Sequence, residues 1–130
     1  MIFVDTSAIY AWVNAADSNH RRVVASLAAA LEAGEDFLTH NYVLVESAVL
    51  LRRRLGWTAV RRFLHDAAVF QVRWIDEALH RAALDRFVRR RGRVSLVDEV
   101  SFLVMRERGI SEALVFDQDF LREGFRYYRA

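Results

Sequence analysis

Short apolar runs alternate with segments of helical spacing along the whole chain, and this alternation limits the fold more than any other feature. The runs at residues 2–4, 36–39, 69–74 and 113–116 are too short for helices, and each is followed by a segment with apolar residues at helical intervals. Strands that alternate with helices predict an α/β fold. We therefore expect a three-layer α/β/α sandwich with a short, mainly parallel central sheet.

Caps and glycines bound the predicted helices. The first covers residues 6–13, and the second begins at Asp17 or Ser18 and ends at Gly34. The others cover residues 41–55, 58–68, 76–91 and 95–108, a short helix begins at Asp117, and residues 125–128 predict an edge strand. Because the chain contains no proline, repeat or linker-like segment, we expect residues 1–130 to form a single domain.

The composition excludes several classes of site. There is no cysteine, which removes thiolate zinc sites, thiol nucleophiles and disulfides. No apolar run reaches the length that spans a membrane, and no basic residue precedes the short apolar run at the N-terminus, so neither a membrane segment nor a signal peptide is expected. A cytoplasmic location is the prediction.

Arginine is the only long basic side chain in this sequence. All 19 Lys and Arg positions are arginine, which indicates a high-GC bacterial source, and the formal net charge is only +2. The absence of lysine excludes a phosphate-binding P-loop and the phosphoryl-accepting folds that rely on lysine. Arginine forks bind phosphate well. The group Arg89, Arg90, Arg91 and Arg93 is therefore a candidate contact for a phosphate backbone such as that of RNA, although solvated helix ends are the more frequent explanation of any one such cluster.

Four acidic residues lie within or directly after apolar runs. They are Asp5, Glu46, Asp98 and Asp117. Burying an ionised carboxylate is costly unless a cation or a hydrogen-bonding network compensates for its charge. Oxygen ligands without histidine or cysteine favour Mg²⁺ or Mn²⁺ over zinc. Four such acids spread over the chain predict a hard-metal site, assembled by the fold, that cleaves phosphodiester bonds.

Each acid also has an ordinary structural explanation. Asp5 and Asp117 could cap helices, and Asp98 ends a segment with the spacing of a capping box. A salt bridge with one of the arginines at residues 52–54 could explain Glu46, which lies in the middle of a predicted helix. Capping is compatible with metal binding, because a carboxylate at a helix N-terminus keeps free lone pairs. The four histidines show no ligand spacing beside these acids and are expected to serve surface or packing roles.

Four segments in this order resemble the PIN-domain ribonucleases. They are Ile2-Phe3-Val4-Asp5-Thr6-Ser7, Leu44-Val45-Glu46-Ser47, Ser95-Leu96-Val97-Asp98 with Ser101-Phe102, and Val115-Phe116-Asp117-Gln118-Asp119-Phe120. The compact chain looks most like the VapC-type toxins of bacterial type II toxin–antitoxin pairs. The resemblance covers essentially all 130 residues. It implies an Mg²⁺- or Mn²⁺-dependent endoribonuclease that dimerises and is paired with a small antitoxin.

The resemblance also implies roles for individual residues. The quartet of Asp5, Glu46, Asp98 and Asp117 would bind the metal. Asp119 would be a supporting acid, and Ser7 would position Asp5 or a bound water. Two positions depart from the usual pattern. Ser47 stands where threonine is common, and Glu99 adds a further acid next to Asp98, which places it among the supporting candidates.

Three alternatives remain open at this stage. A PIN-like fold could bind RNA or protein without catalysis, or it could act as a housekeeping RNA-processing nuclease without an antitoxin. A flap-endonuclease-type DNA nuclease usually needs more acids and more helices than 130 residues provide.

The third predicted helix carries more apolar residues than one core-facing stripe requires. This excess predicts a covered surface, and we expect a homodimer or an antitoxin helix there.

Overall fold

The computed structural model describes residues 1–129, which form five strands and seven α-helices. The strands are β1 (Ile2–Val4), β2 (Phe37–His40), β3 (Gln71–Arg73), β4 (Glu112–Leu114) and β5 (Arg126–Tyr127). The helices are α1 (Thr6–Val13), α2 (His20–Glu32), α3 (Asn41–Leu55), α4 (Trp57–Asp66), α5 (Glu77–Arg89), α6 (Leu96–Arg108) and α7 (Gln118–Arg122), and a 3-10 turn (Ala67–Val69) follows α4. Ala130, the last residue of the predicted domain, lies outside the described residues.

The five strands form one sheet in the order β3-β2-β1-β4-β5, and every pairing within residues 1–129 is parallel. From β1 through β2 to β3, the chain moves toward one edge of the sheet. From β3 through β4 to β5, it moves toward the other edge. Right-handed crossovers therefore place α1–α4 on one face and α5–α7 on the other. The packing agrees, since α1 contacts α2 and α3 whereas α5 contacts α6. The predicted three-layer α/β/α sandwich is confirmed.

The central strand β1 is buried on both faces, as expected for the middle of a parallel sheet. On one face Phe3 contacts Phe120 of α7, which contacts Phe102 of α6 at a ring-centroid distance of 4.9 Å. Phe125 packs against the same rings. These aromatic contacts fix the start of α6 and all of α7 against the sheet, and both helices carry candidate site residues.

Several element boundaries differ from the sequence prediction by one to three residues; β3, for example, covers Gln71–Arg73 rather than residues 69–74. Helix α2 begins at His20, because the Asp17 side chain accepts a hydrogen bond from the Asn19 N–H (2.8 Å) and holds a turn ahead of the helix. Strand β4 ends at Leu114, two residues before the predicted end. The bounds of α3 are as predicted. Within residues 1–129, no helix has the length and apolar character needed to cross a membrane.

Candidate functional site

The candidate site lies where the order of the strands reverses. The chain leaves β1 toward β2 on one side and returns through β4 on the other, so β1 and β4 flank the switch point of the sheet. Ligands of open parallel sheets bind beyond the carboxyl ends of the strands at this point. Asp5 directly follows β1, and Asp117 follows β4 after two further residues. The topology alone therefore brings two of the predicted acids to one edge.

Asp5 is buried and held in place by Ser7. It caps α1, and its Oδ2 accepts hydrogen bonds from the Ser7 N–H (3.1 Å) and the Ser7 hydroxyl (2.8 Å). The Ser7 hydroxyl oxygen in turn accepts a hydrogen bond from the Phe116 N–H (3.0 Å). The Asp5 N–H donates to the carbonyl of Leu114 (3.1 Å). Ser7 therefore ties the end of β1 to the segment that leads into Asp117.

Three further carboxylates form a cluster at the same edge. Asp98, Asp117 and Asp119 each place an oxygen within 4.8 Å of the other two. Asp98 lies in the first turn of α6, where its N–H donates to the capping Ser95 hydroxyl (3.1 Å). Asp117 caps α7 and accepts a hydrogen bond from the Asp119 N–H (2.9 Å). Asp119, predicted as a supporting acid, thus belongs to the cluster itself.

The electrostatics of these acids show that the site needs positive charge. Burial raises the pKa of Asp5 to about 6, although hydrogen bonds from Ser7 oppose the shift. Burial, together with the negative charges of Asp5 and Asp117, raises the pKa of Asp98 to about 8. Carboxylates that share a site cannot all ionise without a cation. Ionising all of these carboxylates together therefore costs free energy through charge repulsion, and a bound metal would relieve this cost.

The dimensions and the chemistry of the cluster fit a hard divalent cation. Ligands of one octahedral Mg²⁺ lie about 3 to 4.2 Å apart, so oxygens within 4.8 Å of one another need only a small contraction to share an ion. Two buried hydroxyls beside predicted site acids, those of Thr6 and Ser47, have no hydrogen-bond partner within residues 1–129.

The stability of metal-free protein should fall as the pH rises from about 4 to about 8. The pKa of Asp98 is about 8 in the folded protein against an ordinary value of 3.8, so across this range the folded state holds a proton that the unfolded chain has lost. The substitution Asp98→Asn removes this effect. We expect its melting temperature in EDTA to match the wild type near pH 4 and to exceed it increasingly toward pH 8, as measured by circular dichroism. Curves that stay parallel would contradict the raised pKa.

Not every predicted site residue joins the cluster. Glu46 is exposed on α3 and forms no ion pair with an arginine within residues 1–129, so the alternative of a salt bridge to residues 52–54 is wrong. Its negative charge nevertheless contributes to the raised pKa values of Asp5 and Asp98. Glu46 therefore lies at the rim of the site. It is exposed, whereas its apolar neighbours in the sequence had suggested that it would be buried.

Glu99 is turned away from the acidic cluster, which corrects its place among the supporting candidates. Its fully buried carboxylate pairs with Arg86 (3.1 Å) and Arg90 (3.3 Å). Successive helical residues point about 100° apart, so Asp98 and Glu99 cannot face the same site. Arg90 also pairs with Glu123. This makes Arg90 a partly buried structural partner rather than the free RNA contact that the sequence suggested.

The other arginines of that predicted group remain near the surface. The Arg89 and Arg93 guanidinium groups donate to the carbonyls of Asp85 (3.4 Å) and Arg90 (3.3 Å). Arg91 has a left-handed backbone (φ 54) at the end of α5. Neither Arg89, Arg91 nor Arg93 has a carboxylate within 4.0 Å in the described part of the chain. These three side chains stay available for an anionic ligand.

A hydrogen-bond chain through His40, which connects the end of β2 to α6, was not predicted from the sequence. His40 is buried, and burial lowers its pKa to about 3, so its ring is neutral. Its Nδ1 accepts from the Val43 N–H (3.2 Å), which leaves Nε2 to donate to the Ser101 hydroxyl (2.8 Å). Ser101 donates onward to the Val97 carbonyl (3.0 Å). A histidine directly before a helix is a capping signal, but its contact with Ser101 depends on the fold.

Comparison with known proteins agrees with this geometry. The sequence profile of the PIN domain matches residues 2–125. The chain belongs to the PIN-domain family. A PIN-domain relative in Mycobacterium tuberculosis, the 23S rRNA-specific endonuclease VapC20, is 38% identical over 131 aligned positions, which cover 96% of this chain and 95% of the relative. The same sequence identity is found for VapC20 of strains CDC 1551 and H37Rv.

A solved PIN-domain structure confirms the architecture. The crystal structure of Mycobacterium tuberculosis VapC20, described as a sarcin-ricin loop cleaving toxin, superposes with a TM-score of 0.84 at 36% sequence identity. The superposition covers 96% of both chains. The likeness therefore extends over nearly the whole length of both chains.

Proposed function

We propose that this PIN-domain protein is a metal-dependent endoribonuclease and the toxin of a toxin–antitoxin pair. The observation that carries the proposal is the cluster of Asp98, Asp117 and Asp119 at the switch point, with Asp5 beside it. The likeness to VapC20, an rRNA-specific endonuclease, supports RNA as the substrate class. The domain would comprise residues 1–130 and act in the cytoplasm.

The cofactor we propose is Mg²⁺, with Mn²⁺ as a substitute. Asp5, Asp98 and Asp117 would hold it, with Glu46 and Asp119 completing the negative site. When bound, the ion supplies a Lewis acid that acidifies a water molecule and neutralises charge on the phosphate. An all-oxygen donor set favours these hard cations over zinc.

The residues of the chain itself hold the donors in a fixed arrangement. Ser7 orients the Oδ2 of Asp5 and links it to the β4 side of the site. Helix caps at Ser95 and Asp117 fix the first turns of α6 and α7. These hydrogen bonds hold the donors in one arrangement, which limits the reorganisation needed when RNA and metal bind.

The direct test is RNA cleavage by the purified protein. We expect a single-stranded RNA to be cut with Mg²⁺ or Mn²⁺ present and to stay intact in EDTA, with activity restored by added metal. Asp5→Asn is the matched inactive variant, because it keeps the size of the side chain but loses the charge. Cleavage that continues unchanged in chelator would contradict the metal site, and an intact RNA under all conditions would contradict the nuclease.

The proposed partners are a second copy of the chain and a small antitoxin. Val45 and Val49 of α3 are 62% and 54% exposed, whereas Val43 and Leu51 of the same helix face the core. An apolar stripe on the outer side of a helix favours coverage by another chain. We expect a dimer mass by light scattering, and growth arrest on induction of the wild type but not of Asp5→Asn. A monomer at micromolar concentration would contradict the dimer.

A further inference from the structure

A cavity of about 420 Å³ borders the acidic cluster on the side of α7. Asp119 belongs to both, so the cavity opens directly beside the proposed metal position. Its walls come from the end of α5, the segment between α5 and α6, and α7. They consist mainly of charged side chains, namely Arg90, Arg93, Val94, Asp119, Arg122 and Glu123.

Positive charge exceeds negative charge around this cavity. Glu123 is paired with Arg86, Arg90 and Arg106. Glu99 shares the first two of these arginines. Among the side chains that line the cavity itself, the three guanidinium groups of Arg90, Arg93 and Arg122 stand against the two carboxylates of Asp119 and Glu123, which leaves one positive charge in excess.

Arg93 and Arg122 are the two cations that a ligand can reach. Arg93 is exposed and has no carboxylate within 4.0 Å in the described part of the chain. Arg122 pairs with Asp119 (2.9 Å), but its side chain is 71% exposed. A cation bound by the cluster would neutralise the carboxylate of Asp119. The guanidinium of Arg122 would then be free to turn toward another anion.

We propose that this cavity binds one phosphate of the RNA backbone, adjacent to the phosphate at the acidic cluster, through Arg93 and Arg122. The inference rests on the proposed function. A nuclease with a negative centre must attract a negative substrate, and nearby arginines supply this attraction without sequence preference. The planar guanidinium group can donate two parallel hydrogen bonds to one phosphate. Arg90 has a different role, because its contacts with Glu99 and Glu123 position the walls of the cavity.

The test compares Arg93→Gln with Arg61→Gln, which removes an exposed arginine on α4, outside the cavity. In single-turnover cleavage with Mg²⁺, we expect Arg93→Gln to raise the half-saturating protein concentration about tenfold while the plateau rate changes little. In a plot of the logarithm of this half-saturating concentration against the logarithm of the salt concentration, the slope for Arg93→Gln should be about 0.7 lower than for the wild type. This is the value for one lost contact to a single strand. Arg61→Gln should alter neither quantity, and both variants should keep the wild-type melting temperature.

A second arm locates the phosphate. A series of RNAs, each with one uncharged methylphosphonate linkage, is cleaved by the wild type and by Arg93→Gln. At one linkage beside the cleavage site, the wild type should lose more affinity than Arg93→Gln does with normal RNA, because both arginine contacts are lost, and the variant should lose only the smaller part that Arg122 contributes. Losses that are the same in both proteins at every linkage would overturn the proposal, as would equal half-saturation for Arg93→Gln and Arg61→Gln.

Failure of the cavity and failure of the nuclease give different results. If the wild type cleaves RNA and Arg93→Gln behaves as Arg61→Gln does, only the phosphate site is wrong. If the wild type cleaves no RNA, the proposed function fails. The cavity is then tested by the fluorescence anisotropy of a labelled single-stranded RNA, where weaker binding by Arg93→Gln than by Arg61→Gln supports it and equal dissociation constants overturn it.

Discussion

Replacing Asp98 with asparagine should lower the rate of RNA cleavage by about two orders of magnitude or more while the protein stays folded. A metal supplies several kcal/mol of transition-state stabilisation, and each 1.4 kcal/mol corresponds to about a factor of ten in rate. Burial, together with the negative charges of Asp5 and Asp117, raises the pKa of Asp98 to about 8, so Asp98 experiences the repulsion that the cation relieves. Asparagine keeps the shape of the side chain but removes the charge.

The matched control is Asp36→Asn, which changes an exposed aspartate in the loop before β2. It should leave the cleavage rate near that of the wild type. The melting temperature of Asp98→Asn should rise less on addition of Mg²⁺ than that of the wild type, because a ligand has been lost. An Asp98→Asn protein with full activity and a normal response to Mg²⁺ would remove Asp98 from the metal site.

The sequence was sufficient for the acids whose positions follow from local rules. Asp5 and Asp117 end short apolar runs and cap the next helices, and parallel strands bring their carboxyl ends to one edge. Asp98 lies three residues after the capping Ser95, which fixes it in the first turn of α6. Local patterns place these three acids at strand ends and in first helical turns, so their convergence on one edge and the α/β/α fold could both be predicted before the structure.

The same local rules could not assign Glu46 and Glu99. Both stand among apolar residues, and such neighbours suggest burial for each. The structure exposes Glu46, because the outer side of α3 is apolar and uncovered by the rest of the chain. It buries Glu99, because the side chains of Arg86 on α5 and of Arg90 directly after α5 form ion pairs with it. Which arginine neutralises which acid depends on contacts between elements distant in sequence, and periodicity does not encode these contacts.

Replacing Glu99 with alanine should lower the free energy of unfolding by about 3 kcal/mol or more. Glu99 is fully buried, and the side chains of Arg86 and Arg90 that pair with it are only 19% and 28% exposed. Removing one partner of a buried ion pair leaves the other charge without compensation, which costs about 3–5 kcal/mol. Urea denaturation followed by circular dichroism measures the change. Glu99→Gln, which keeps an acceptor for the arginine N–H groups, should lose less.

The control for Glu99→Ala is Glu77→Ala on the preceding helix. Glu77 also pairs with an arginine, Arg81 (2.7 Å), but the two side chains are 76% and 74% exposed, so solvent screens the pair and its loss should change stability little. Because Glu99 adjoins Asp98 and its arginine partners also hold Glu123, we further expect Glu99→Ala to weaken cleavage at temperatures where it remains folded. Equal stability losses for the two alanine variants would show that burial of the Glu99 network contributes nothing to the fold.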